Sequence, residues 1–274
     1  MHYRSMVDSD CIVVMGSNMA ENHPVAFRWP MKAKVEHGAK LIHVDPRFTR
    51  TSAMADLYAP IRAGSDIAFL GGLVNFVLNN PRWNSDPFFR TFVVNYTNAA
   101  TIISDDFRDT EQLGGVFSGL MSYQEKSEWP YNGFVGEYES KSWQYARSQG
   151  RSTGASADML SAKEQAGDEQ AAIKRQAARQ GAEGPPYDKL VQALVPPPAQ
   201  RDETLQHPQC VFQIVRRHFH RYTPEMVERV TGCPRDLFLR VAQTILDNSG
   251  AERTVSFAYA VAWTQHTSGV QATA

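Results

Sequence analysis

Little in this sequence points to covalent staples, to a membrane or to nucleic acid. Its 274 residues hold three cysteines, Cys11, Cys210 and Cys233, odd in number and far apart. That excludes a disulfide framework and leaves no C-x-x-C pattern for a metal or a cluster, so buried structural thiols are the expected state. No apolar run approaches the roughly 20 residues that span a bilayer, so no transmembrane segment is expected. The opening MHYRSMVDSD has neither the charged n-region nor the apolar h-region of a signal peptide. With 28 basic and 29 acidic residues, formal net charge -1, the chain offers no basic stripe for nucleic acid and no acidic tail. There is no P-loop, no H-E-x-x-H, no Ser-His-Asp context and no internal repeat.

What is present is an alternation of short strands and helices, with 42% hydrophobic residues to build a core. CIVVM reads as a buried strand. Val25 to His37 reads as a helix, with Pro24 suited to its first position, Gly38 just past its end, and Pro30 a place for a kink or an early stop. KLIHVD (40–45) and LYAPI (57–61) read as two further strands. The loop RAGSD leads into the amphipathic DIAFLGGLVNFVLNN, with Ser65 and Asp66 marking its start. This order predicts an α/β fold: a Rossmann-like parallel sheet with flanking helices and right-handed crossovers. One more helix and a strand are expected over 85–104, after which the pattern decays. Residues 148–201 are rich in Ala, Gly, Gln, Pro and charge, and read as a low-complexity surface insertion that buries too little to order itself. Helical spacing returns in CVFQIVRRHF, in TPEMVERVTG with its N-cap threonine and proline, and in PRDLFLRVAQTILDNSG. RTVSFAYAVA is then a return strand running into the polar turn WTQHTSG. The expected division is 1–147 as a Rossmann-like nucleotide-binding region, 148–201 as the insertion, and 202–274 as a helical segment and return strand of the same domain.

In a parallel sheet the loops GSNMAENHP, DPRFTRT and RAGSD emerge together at the carboxyl ends of the strands, where ligands of such folds bind. The first carries Gly16, Ser17, Asn18 and Glu21, but not the three glycines of the dinucleotide fingerprint. Asp45, 29 residues after Gly16, stands where a Rossmann acid would meet a ribose, and equally where a turn residue would stand. Arg47 reads as a phosphate partner or as half of a surface ion pair. Gly64 and Asp66 read as base contacts or as part of a helix start, with capping the plainer role for Ser65. Glu21 and His23 would make an acid–base pair, though a His before a helix proline is more often a structural hydrogen bonder. Two histidines at i and i+2 in HFHRY do not share a helix face, so a solvated helix end is favoured there over a metal site.

Taken together, GSNMAENHP, VDPRFTRTSAMADLYAPIRAGSDIAFLGG and TLQHPQCVF…RYTPEMVERVTG…FAYAVAWTQHTSGVQ resemble the large, catalytic alpha subunits of respiratory formate dehydrogenases, in the molybdopterin oxidoreductase family. The motif GSNMAENHP also resembles nitrate reductases of that family, which leaves such an enzyme, or a cofactor-free scaffold, as alternatives. The resemblance implies formate oxidation to carbon dioxide. It implies a molybdopterin guanine dinucleotide carrying molybdenum or tungsten, held by Gly16, Ser17, Asn18 and Glu21 from the first loop, by Asp45, Pro46 and Arg47 from the second, and by Gly64 and Asp66 from the third. Gln265 and His266 match a later loop near the pterin. The partners implied are the rest of the large subunit and an iron–sulfur electron-transfer subunit, in a periplasmic or membrane-associated complex. The family's metal-bound Cys or selenocysteine followed by His, its iron–sulfur cysteines and its R-G-H segment are not matched. The chain is therefore expected to be an internal piece of a longer subunit, with no catalytic or metal-ligating residue of its own and no activity alone.

Overall fold

The computed structural model describes residues 2–109, 120–126, 133–138, 143–147, 199–267 and 269. Contacts divide the chain into two compact units, Met1–Phe92 with Phe219–Ala274, and Val93–His218.

The first unit is built on a four-stranded sheet. Strands β1 (Cys11–Met15), β2 (Lys40–Val44), β3 (Leu57–Ala59) and β6 (Val255–Tyr259) lie in the order β3-β2-β1-β6 and all pair in parallel. All five residues of β1 are buried, because it lies between β2 and β6 with helices over both of its faces, so the strand reads as a continuous apolar run instead of an alternation. Cys11, Val13 and Met15 point with Ile42 and Val44 to one face, against Phe69, Val227, Phe238 and Val241. Ile12, Val14 and Leu41 point to the other, against Met19, Phe27 and Ala33. Burial pushes the Cys11 thiol up to about 12 and the Cys233 thiol up to about 11, so both are inert thiols at neutral pH.

After β1 come α1 (Met19–Asn22) and α2 (Pro24–His37), then α3 (Arg50–Met54) after β2 and α4 (Asp66–Leu78) after β3. Pro30 does not stop α2, which continues to His37 with the proline ring buried and Gly38 in the left-handed conformation closing it. Helix α4 carries Gly71 and Gly72 where a side chain would collide: a Cβ at Gly72 would lie 2.5 Å from a Val227 methyl and 2.8 Å from the Phe238 ring. The missing side chains are what let α4 approach α8 (Pro224–Thr231) and α9 (Arg235–Asp247) closely. The Thr223 hydroxyl accepts from Met226 N at 3.2 Å to cap α8, as its T-P-E start foretells. Helix α9 stops at Asp247, short of Gly250, because Asn248 Nδ2 donates back to the Thr244 carbonyl at 2.7 Å. The return strand ends at Tyr259, and Val261–Thr264 turn into a short helix, α10, where the sequence reads as strand and polar turn. Two more helices follow α4 in the chain, α5 (Arg82–Ser85) and α6 (Pro87–Tyr96).

In the second unit, β4 (Leu120–Lys126) and β5 (Gly133–Tyr138) form an antiparallel pair that the sequence pattern does not announce. Isolated bridges join Thr101 to Arg201, Ile102 to Cys210, Ile103 to Tyr145 and Arg147 to Ala199. Helix α7 covers Val211–Phe219. Of the expected insertion 148–201, residues 148–198 lie outside the described residues, while its last three residues include the paired Ala199 and Arg201. No helix among the described residues is long and apolar enough to cross a membrane.

Phe238 is fully buried and meets Phe69 edge-on at a ring separation of 5.3 Å. We expect Phe238→Ala to cost roughly 3–5 kcal/mol through lost transfer energy and an unfilled cavity, read as a lowered midpoint in urea unfolding with an unchanged slope.

Candidate functional site

Register brings the loops together. β1 pairs residue for residue with β2 on one side and β6 on the other, Met15 opposite both Val44 and Tyr259, so residues 16–18, 45–47 and the segment after Tyr259 leave the sheet at one edge. β3, in register with β2 through Ala59, sends the third loop from the same edge.

Gly16 turns the chain with φ +63 and its N–H donates to the Val44 carbonyl at 3.1 Å. The turn is crowded: a Cβ at Gly16 would lie 2.9 Å from both Ala262 Cβ and Trp263 Cδ1. Trp263 is buried and stacks on Tyr259 at 4.5 Å, yet its indole Nε1–H has no hydrogen-bond partner. A buried donor without an acceptor is costly, so a donor left over beside the first loop fits a ligand acceptor there.

Ser17 is buried and Asn18 accepts at Oδ1 from the Thr51 hydroxyl at 3.0 Å, while Asn18 Nδ2 donates to Glu21. Thr51 Oγ1 also accepts from Ala20 N at 3.0 Å, and Glu21 pairs with Arg50 at 3.2 Å. The first loop is thus stitched to α3, an element the sequence reads as loop. Helix α3 starts with a capping box in which Ser52 Oγ accepts from Thr49 N at 2.8 Å. The signal was present as T-R-T-S, a weaker form of the usual S/T-x-x-E/Q pattern.

Asp45 serves its own turn: Oδ1 accepts from Arg47 N at 2.9 Å, as an Asp before proline often does. Its main-chain carbonyl accepts from Tyr58 at 3.0 Å. Pro46 and Arg47 are exposed. Arg47 and Glu21 line a hollow of about 470 Å³ with Phe48, Thr49, Arg50 and Ala53. A second hollow of about 350 Å³ has Lys40 and Asp56 in its wall and lies at the opposite, amino-terminal end of β2; Asp56 is committed there to Leu41 N and Lys34.

In the third loop, Arg62 donates to the Arg229 and Val230 carbonyls at 2.8 and 2.9 Å, holding the loop to the end of α8. Gly64 turns with φ +79. Ser65 does not cap α4: its hydroxyl points back to the Arg62 carbonyl at 2.6 Å. Asp66, the first residue of α4, is buried. Burial raises its carboxyl above the usual range and the Asp45 carboxylate adds to this, against its own backbone N–H and the His266 imidazole. Asp66 therefore senses both the second loop and the segment after β6. Gln265 and His266 are exposed just past α10. The edge collects the carboxylates of Glu21, Asp45 and Asp66, the His266 imidazole, the guanidinium groups of Arg47 and Arg50 and the unpaired Trp263 indole N–H, a set suited to the acceptors and donors of a nucleotide. Among the described residues no group of three His, Cys, Asp or Glu is placed to hold a metal.

Residues 3–184 match the family model described as Molybdopterin oxidoreductase. The chain is 37% identical over 270 residues to the formate dehydrogenase-O major subunit of Escherichia coli (strain K12), covering 98% of this chain and 20% of that protein. It is 36% identical over 270 residues to formate dehydrogenase subunit alpha of Megalodesulfovibrio gigas, with the same coverage. Over 128 residues it is 41% identical to the periplasmic nitrate reductase of Desulfovibrio desulfuricans, covering 45% of this chain and 15% of that protein. The chain thus spans about a fifth of the length of the first two relatives.

Gly16 and Gly64 separate crowding from backbone strain. Both have positive φ, but nothing lies within 4 Å of a Cβ at Gly64. Gly64→Ala should cost about 1–2 kcal/mol for the left-handed backbone alone, and Gly16→Ala about 1–3 kcal/mol more for displaced packing. Denaturant midpoints of the two variants give the comparison, and equal losses would show that α10 yields freely.

Proposed function

The chain belongs to the molybdopterin oxidoreductase family, and on that premise we propose that its carboxyl-edge loops grip a molybdopterin guanine dinucleotide in the large subunit of a molybdenum or tungsten formate dehydrogenase. The observation that carries this reading is the register that delivers the loops of Gly16, Asp45 and Asp66 and the segment after β6 to one sheet edge, with the unpaired Trp263 N–H packed against the first of them.

The chemistry of the donor set matches such a group. A guanine edge presents adjacent N–H donors, which a carboxylate held at a helix start, Asp66, accepts. Ribose hydroxyls find an acceptor in Asp45. Phosphates find the Arg47 guanidinium and the backbone N–H groups of Ser17 and Asn18 in the tight first turn, which Gly16 makes through its positive φ. Glu21 steadies that turn through Asn18, and Gly64 and Pro46 shape the two other loops. Gln265 and His266, exposed just past α10, are the groups this reading leaves for the pterin end. When bound, the metal pterin supplies the two-electron oxidation of formate to carbon dioxide. This chain supplies the grip and no metal ligand; the partners implied are the rest of the large subunit and an iron–sulfur electron-transfer subunit.

Formate is favoured over nitrate because the formate dehydrogenase relatives align over 98% of the chain and the nitrate reductase over 45%. The nitrate reading keeps the same grip and differs in substrate. Assaying the longer polypeptide on both substrates separates them.

Asp66→Asn tests the grip. The folded carboxyl titrates above its ordinary 3.8, so stability gained from the protonated form is present below that value and lost as pH rises through the raised one. At pH 7 the charged group costs stability, and Asn removes that cost. The unliganded variant should melt higher than the wild type, while guanine dinucleotide released from the full-length subunit and weighed by mass spectrometry should fall roughly tenfold or more, the worth of a charged hydrogen bond. Unchanged content would remove Asp66 from the site. Wild-type subunit containing no guanine dinucleotide would leave only the scaffold reading.

A further inference from the structure

We propose that His43 is the positioning residue that ties the first loop to the second, and that it does so as a neutral ring protonated on Nε2. The tie stands on this chain's geometry alone; its consequence for a ligand rests on the nucleotide reading above.

His43 is a polar residue in the middle of β2, fully buried, on the face it shares with Leu41. A strand covered on both sides tolerates such a residue only if its polar atoms are satisfied. Both are. Nε2 lies 3.1 Å from the Ser17 carbonyl and Nδ1 lies 2.8 Å from Ser52 Oγ. A carbonyl only accepts, so Nε2 carries the proton. Nδ1 of the neutral ring is then an acceptor, and the Ser52 hydroxyl donates to it. Ser52 Oγ in turn accepts from Thr49 N, the start of α3. One imidazole thus spans from the main chain of the Gly16 turn to the capping box of the second loop. Thr51 links the same loops through Asn18 and Ala20 N but does not titrate, and the Glu21–Arg50 pair does so on the surface with Arg50 80% exposed, where such pairs contribute little.

The charged and titratable groups around the ring are few. Asp45 Oδ2 lies 3.9 Å from Nε2, and Tyr58, opposite His43 on β3, tilts its ring 6.0 Å away. Glu21 and Arg50 face each other further out. Burial holds the imidazole below its ordinary value of 6.5, against the Ser17 bond and the pull of Asp45. Protonation would turn Nδ1 from acceptor to donor, force the Ser52 hydrogen toward Thr49 Oγ1 at 3.5 Å, and place a cation between apolar layers. The sign follows: with the folded value lowered, the contribution of the neutral ring is whole above pH 6.5 and is lost as pH falls from there through the lowered value.

The test follows the ring nitrogens and the loop amides of the whole ¹⁵N-labelled chain by NMR from roughly pH 8 to pH 5, spanning the range in which histidine titrates. His43→Gln assigns the signals, since its amide reaches Ser17 but neither titrates nor serves Ser52. The expected result is a neutral Nε2–H ring that titrates below 6.5, with the amides of Gly16, Ser17 and Asn18 and of Thr49, Arg50, Thr51 and Ser52 shifting at that same midpoint. The step should vanish in His43→Gln. An Nδ1–H tautomer, a midpoint at the ordinary value, or loops that ignore the titration would overturn the tie; these wild-type readouts decide it even if the variant does not fold. Guanosine diphosphate is the ligand probe: its affinity should drop several-fold across the His43 midpoint, and equal affinity on both sides would overturn the consequence for binding. No binding at any pH, with the loop step intact, would sink the nucleotide reading and leave the tie.

Discussion

Burial of β1 on both faces is the constraint from which the rest follows. Because Cys11 to Met15 can meet no water on either side, the strand must lie between neighbours, and β2 and β6 take those places in parallel and in register. Parallel pairing then forces each connection to cross over a face and return, which delivers the loops at one end. Helices α2 on one face and α4, α8 and α9 on the other are the consequence of that burial and also its cause, since their side chains complete the two apolar layers.

The loops that leave this edge are held both from below and, for the first and second, by bonds to one another. The first is fixed by the crowded glycine at 16, by Thr51 and by His43; the second by the capping box at Thr49 and Ser52 and by the Asp45 turn; the third by Arg62 on the end of α8. Such support fixes the arrangement of the three loops, and the ligand proposed for them would therefore bind at a lower ordering cost. It also leaves Asp66 in a position unfavourable to its own charge, the kind of cost that proteins concentrate at functional sites.

Much of this was legible in the sequence wherever the physical signal is local. CIVVM, KLIHV and LYA announce themselves as apolar runs, and α2 and α8 through proline at the start and glycine past the end. What was not legible depends on partners distant in the chain. Helix α3 has no apolar period, and its one local signal, the weak T-R-T-S capping box, is too common to mark a helix by itself. The hydroxyl of Ser65 could have faced the helix or the loop, and packing around Arg62 decides for the loop. Polar character made WTQH read as a turn, whereas burial of Trp263 against the Gly16 turn winds Val261–Thr264 into a helix. Asp45 was open between ligand and turn; its turn bond is now visible, and that bond engages one oxygen of the two.

Hydrogen–deuterium exchange on the full-length subunit, with its cofactor and after the cofactor has been stripped, tests the central claim most directly. If the carboxyl-edge loops grip a molybdopterin guanine dinucleotide, stripping should speed exchange in residues 16–22, 45–52, 64–67 and 263–266 together, and leave β1 and β2 protected. Loops that exchange alike in both states, with any change confined to segments elsewhere in the subunit, would contradict the account.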